Sequence, residues 1–123
     1  MIRCAALIVM LAIPIAPPLA AHEAGIGPNG GMRVDATPYR VELVPDGSVV
    51  TIHLTLDATD EVVDTTAMTG LAILLVDGKP LRLPLTPAVP GTLSADAAVP
   101  LPAEVKGAVQ ITDADGKTVQ AKF

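Results

Sequence analysis

The chain has 123 residues, half of them hydrophobic, and thirteen acidic against eight basic side chains give a net charge of −5. That balance argues against nucleic acid and anionic lipid surfaces as partners. One Tyr, one Phe and no Trp leave no aromatic platform for sugars or nucleobases.

Residues 1–21 read as a signal peptide. Met1, Ile2 and Arg3 open it, AALIVMLAIPIA supplies the apolar run, and PPLAA ends it with prolines and small residues. Pro14, Pro17 and Pro18 interrupt a run already too short for a membrane anchor, so no membrane insertion is expected after cleavage. Cleavage after Ala21 makes His22 the mature N-terminus and the location periplasmic or secreted. Cys4 precedes the apolar run and leaves with the leader. The mature chain then has no cysteine, and a hydrophobic core must carry its stability. Loss of Arg3 lowers the basic count from eight to seven against thirteen acids, moving the net charge from −5 to −6.

Residues 22–31, AHEAGIGPNGG without its first alanine, read as a flexible N-terminal arm. Residues 32–123 read as one all-β domain, an immunoglobulin-like β-sandwich of seven to eight strands. Its runs alternate with period two and are separated by turn residues. YRVELV is the first clear strand, and Pro45 to Ser48 turn it into VVTIHLTLD. There Val50, Ile52, Leu54 and Leu56 share one face, while Val49, Thr51, His53 and Thr55 share the other. LAILLV is apolar on both faces and reads as a central strand. Its Ile73 and Leu75 are expected to point inward with Ile52, Leu54 and Leu56. Asp77 to Pro80 then turn into LRLPLT, where Pro84 suggests an edge. GTLSADAAV is another strand, LPAEVKG a single helical turn, and AVQIT pairs with TVQAKF across Asp113–Gly116.

No residues stand in a catalytic pattern, and the chain is read as a non-enzyme. Ser48 and Ser94, the two serines, lie in turn or edge contexts, and neither His22 nor His53 occupies a nucleophile–base setting. Asp57, Asp60, Glu61 and Asp64 crowd one loop, but their spacing matches no EF-hand, so they read as a solvated acidic loop. Asp113-Ala-Asp115-Gly lacks the further ligands of a calcium loop and reads as a hairpin turn. Met32 and Met68 read as core filling. The candidate metal ligands are His22 and His53. A freed His22 offers its α-amine and imidazole Nδ1 on one residue, a chelate suited to Cu(II) or another divalent transition metal. His53 sits on the polar face of its strand.

GPNGG, YRVELVPDGSVVTIHLTLD, VVDTT, AILLVDGKPLRLPLTP and the closing GKTVQAKF together resemble a group of small exported proteins. That group, with related modules of periplasmic adaptor subunits, is associated with resistance-nodulation-division heavy-metal efflux systems. Relatives often carry His within Pro-x-Gly-Gly and just after the long strand, where this chain has Asn29 and Ala58. The resemblance implies a periplasmic β-sandwich near metal traffic, with efflux components as partners. Pro28, Gly30 and Gly31 are expected to form a structural turn that bends the arm into the first strand.

The leading expectation is therefore a non-enzymatic periplasmic binding or accessory domain linked to heavy-metal homeostasis or efflux. The alternatives are a structural or protein-interaction sandwich with no metal role, and a copper carrier using His22.

Overall fold

A computed structural model describes residues 25–123; the expected signal peptide 1–21, Cys4 and His22 lie outside the described residues. The described chain is all-β and antiparallel. Its nine strands are β1 (Gly25–Ile26), β2 (Met32–Ala36), β3 (Tyr39–Asp46), β4 (Val49–Leu56), β5 (Thr69–Val76), β6 (Lys79–Pro87), β7 (Thr92–Asp96), β8 (Lys106–Thr112) and β9 (Thr118–Lys122). They form one continuous ladder in the order β1-β2-β3-β4-β7-β6-β5-β8-β9. This sheet curls until β2 and β9 approach one another, so its two halves share a single core. Nine strands replace the expected seven to eight because Gly25–Ile26 and Met32–Ala36 extend the sheet ahead of YRVELV.

Turn chemistry fixes the hairpins. Gly47 alone has a positive φ (60°) in the two-residue β3–β4 turn, the pattern of a type II′ turn. In the β5–β6 turn both Asp77 (52°) and Gly78 (74°) are positive, as type I′ requires. The β8–β9 turn closes as read from Asp113–Gly116: the Asp113 carboxylate accepts from the N–H groups of Asp115 and Lys117, each at 2.9 Å.

On β4 the alternation holds. Val50, Ile52 and Leu54 are buried, Leu56 is half-buried, and His53 and Thr55 are half-exposed on the other side. On β5 the expected parity is reversed. Ala72 and Leu74 are fully buried, whereas Leu75 is 49% exposed and Ile73 only half-buried. The cause is register. Ala72 pairs with Leu83 and Val109, and Leu74 with Leu81, all of which face the core or pack on it. A run apolar on both faces carries no parity of its own, so its neighbours choose.

LRLPLT becomes β6, internal to the strand order but only partly an inner strand. It pairs with β5 from Lys79 to Leu85 and meets β7 only at Thr86 and Pro87. Pro80 and Pro84 share one parity, so both remove a donor from the same strand edge, and pairing with β7 starts past the second proline. The expected helical turn in LPAEVKG is absent. Lys106 and Gly107 already pair with Leu75 and Leu74 as part of β8. Upstream, Leu101 donates its N–H to Gly47 O (2.9 Å) and Ala97 to Ser48 O (2.7 Å), tying the proline-rich crossover to the β3–β4 turn.

The reversed parity of β5 is testable by paired truncations. Leu74→Ala removes a fully buried side chain and should cost about 2–5 kcal/mol. Leu75→Ala should cost about 0.5 kcal/mol, the usual scale at the surface. Denaturant midpoints compare them, and equal losses would refute the register.

Candidate functional site

The opening motif finds its partner on β3. Glu42 is 2% exposed, although it lies on the polar side of the strand. GPNGG wraps over it. The Gly30 N–H donates to Gly27 O (3.0 Å), closing a four-residue turn with Pro28 at its second position. Glu42 Oε2 accepts from the N–H of Asn29 inside that turn and from the N–H of Gly31 just past it, each at 2.9 Å. Its Oε1 accepts from Asn29 Nδ2, also at 2.9 Å. Two backbone amides and one side-chain amide thus replace the water a buried carboxylate loses.

The glycines follow from the close approach. A Cβ on Gly27 would collide with the Glu42 carboxyl, and one on Gly31 with the carbonyl oxygen of Leu43. Gly30 has φ 82°. The expected structural turn is therefore present. Of the stretch read as an arm, the described part is tied to the sheet: Gly25 and Ile26 pair with Arg33 and Met32. Asn29 donates to Glu42 through both its backbone N–H and its side-chain amide.

A second cover lies beside the first. After β4 the chain folds back along the edge that β7 leaves open, with Thr55 bridging Val62 and Val63 donating to Leu54 O. This brings Asp60 Oδ1 to 2.9 Å from Arg40 Nη1, while Asp35 Oδ1 lies 3.8 Å from Arg40 Nε. Arg40 is buried, like Glu42 two residues on. The acidic loop is thus not one cup of carboxylates. Asp57 accepts from Thr37 Oγ1, Asp60 meets Arg40, and Asp64 accepts from Thr66. The Thr66 side chain, and then its backbone N–H, hold the Asp64 carboxyl below its usual range.

His53 is half-exposed on the outer side of β4, in register with Glu42 on β3 and Thr92 on β7. Among the described residues no group of three or more His, Cys, Asp and Glu could hold a metal ion. The structure does not bring His53 to the other candidate ligand, His22, which is outside the described residues. Met68 is buried in the core, as read; Met32 is 37% exposed on β2. No helix among the described residues is long and apolar enough to cross a membrane.

The other half of the sheet has a different surface. On the outer face of β5, Leu71, Ile73 and Leu75 form an apolar stripe. Ile73 pairs with Arg82 and Ala108, Leu75 with Lys106, and Ala108 with Lys122. β5, β6, β8 and β9 together contain no acidic residue.

No family model matches the chain, and no curated protein or solved structure matches it either.

Sequence reading missed the burial of Glu42 and Arg40, because their alternation with Tyr39, Val41 and Leu43 is also that of a solvated face. The surplus of glycine in GPNGG was the available signal of a close approach.

The clamp yields a thermodynamic cycle. Glu42→Ala leaves two backbone donors unpaired and should cost about 2–4 kcal/mol. Gly27→Ala should cost about 1–3 kcal/mol by collision with the carboxyl. In the Glu42→Ala background that collision is gone, and the Gly27→Ala cost should fall by about 1 kcal/mol or more. Denaturant unfolding of the four proteins measures the coupling. Strict additivity would contradict the geometry.

Proposed function

We propose that the chain is a non-enzymatic accessory domain of the periplasm, working beside heavy-metal homeostasis or efflux through contacts with other proteins. On this reading the curled sheet is a scaffold of the immunoglobulin-like sandwich class, exported by residues 1–21 and beginning at His22. One observation carries the proposal. The donors of GPNGG, the most distinctive stretch of the mature chain, are directed inward onto Glu42, as in a fastener. The residues beside it follow the same rule, since Arg40 is engaged by Asp60 and Asp64 by Thr66. Such a domain offers surfaces to partners, and the resemblance of its strands and turns to efflux-associated exported proteins supplies the setting.

Deletion of the coding sequence in the native host, with growth measured across Cu(II) and Zn(II) concentrations, tests the reading. Tolerance to at least one metal should fall severalfold and return with the wild-type chain. The restored protein should fractionate with the periplasm and start at His22 on N-terminal sequencing. Unchanged tolerance to both metals, or recovery of an unprocessed chain, would overturn it.

A further inference from the structure

We propose that the outer face of β5, β6, β8 and β9 is a docking face for a protein segment whose apolar side chains are flanked by carboxylates. The inference rests on the accessory-domain reading and names the chemistry of the partner.

The face is built by register. Leu71, Ile73 and Leu75 run along β5, which is flanked by β6 on one side and by β8 and β9 on the other. Arg82 stands directly beside Ile73, and Lys122 stands two strands away in the same row. Lys106 stands beside Leu75, which is itself 49% exposed. Neighbouring strands are about 4.8 Å apart, so these cations lie roughly 5–10 Å from the apolar stripe. A partner with carboxylates on both sides of an apolar row matches that spacing.

The charge pattern is not that of an ordinary solvated surface, which intersperses both signs. The chain as a whole has thirteen acids against eight bases, yet these four strands hold Lys79, Arg82, Lys106 and Lys122 and no acid. Arg82, Lys106 and Lys122 are exposed and form no salt bridge among the described residues. On the opposite half several acidic side chains are engaged within the chain, Asp57 by Thr37, Asp60 by Arg40 and Asp64 by Thr66. Three unpaired cations, Arg82, Lys106 and Lys122, thus flank the half-buried aliphatics of β5 on strands that carry no acid. Charges at such a rim select and orient a partner, while the apolar centre holds it.

A protein segment fits better than the other occupants. The face has no Trp, Tyr or Phe to seat in a lipid interface, and the net charge of −5 opposes an anionic membrane. A second copy would have to present carboxylates in a row, and three of the four acids of the 57–64 loop, Asp57, Asp60 and Asp64, are committed to partners within their own chain. The face measures about 15 Å across four strands and about 20 Å along them. That is small for a permanent complex and suits a transient one, with affinity in the micromolar range.

The test uses the exported, leader-free chain and three blocked ten-residue peptides, which alternate Leu with Glu, Leu with Lys, and Ser with Glu. Titration into the ¹⁵N-labelled protein, followed by amide shifts, gives site and affinity together. The Leu/Glu peptide should bind at least tenfold tighter than either control and should shift residues of Leu71–Leu75 and the neighbouring rows. The double variant Arg82→Glu, Lys122→Glu should lose at least tenfold for Leu/Glu and gain for Leu/Lys. Both positions are exposed, so the fold should be retained. Leu75→Ser should weaken Leu/Glu binding without reversing the charge preference. Equal binding of Ser/Glu, or shifts centred elsewhere, would overturn the proposal. So would binding to phosphatidylglycerol vesicles in place of the peptide, or peptide-free self-association through this face in sedimentation. The assay contains no metal. A metal phenotype on deletion with no peptide binding removes the face but leaves the accessory role, and the converse removes the efflux setting but leaves the face.

Discussion

A carboxylate inside a protein must be given back the hydrogen bonds it made to water, and Glu42 imposes that demand at the start of the fold. Its position on β3 is set by the strand's pairing with β2 and β4, which leaves the side chain on the outer side of the sheet. Burial there is possible only if donors come from above. The turn Gly27–Gly30 supplies them, with the N–H of Gly31 at its exit. Replacing one donor group or adding one methyl disturbs the arrangement, because an unsatisfied buried charge costs more than a hydrogen bond contributes. The clamp also anchors β1 and the entry into β2, and so determines how the edge of the sheet is closed.

Beside this clamp, Arg40 is held under the 57–64 loop by Asp60. Two opposite charges two residues apart on one strand are each covered by a different loop, one preceding the strand and one following its hairpin. The outer side of this half is therefore a folded layer of loops. The other half has no such layer. Its outer side is bare sheet, with aliphatic side chains along β5 and cations around them. In one half Glu42 and Arg40 are buried and satisfied within the chain, while the other presents cations on exposed sheet, and the functional reading follows from that contrast.

The sequence revealed those features whose causes are local. Hairpins at Gly47, Asp77–Gly78 and Asp113–Gly116 were legible because their turn types require particular residues at particular positions. The inward face of β4 was legible because polar and apolar residues alternate there. Parity on β5 was not, since Leu71 to Val76 are apolar on both faces and only pairing with Leu83 and Val109 decides which face is inner. LPAEVKG resembled a helical turn until pairing with β5 claimed Lys106 and Gly107. Burial of Glu42 and Arg40 was invisible because the covering groups lie eleven to twenty residues away and arrive only through the fold. GPNGG reads as a turn from its own residues, but the carboxylate that explains its glycines is on another strand.

Amide hydrogen exchange at Asn29 and Gly31 tests the clamp most directly, because these two backbone N–H groups are the ones Glu42 holds. In the folded protein both should exchange as slowly as the paired amides of β3, and both should become fast in Glu42→Ala while the β4 core amides remain protected. Exchange at Asn29 and Gly31 as fast as in an unstructured peptide in the wild-type protein would show that GPNGG is a free loop, and would contradict the account.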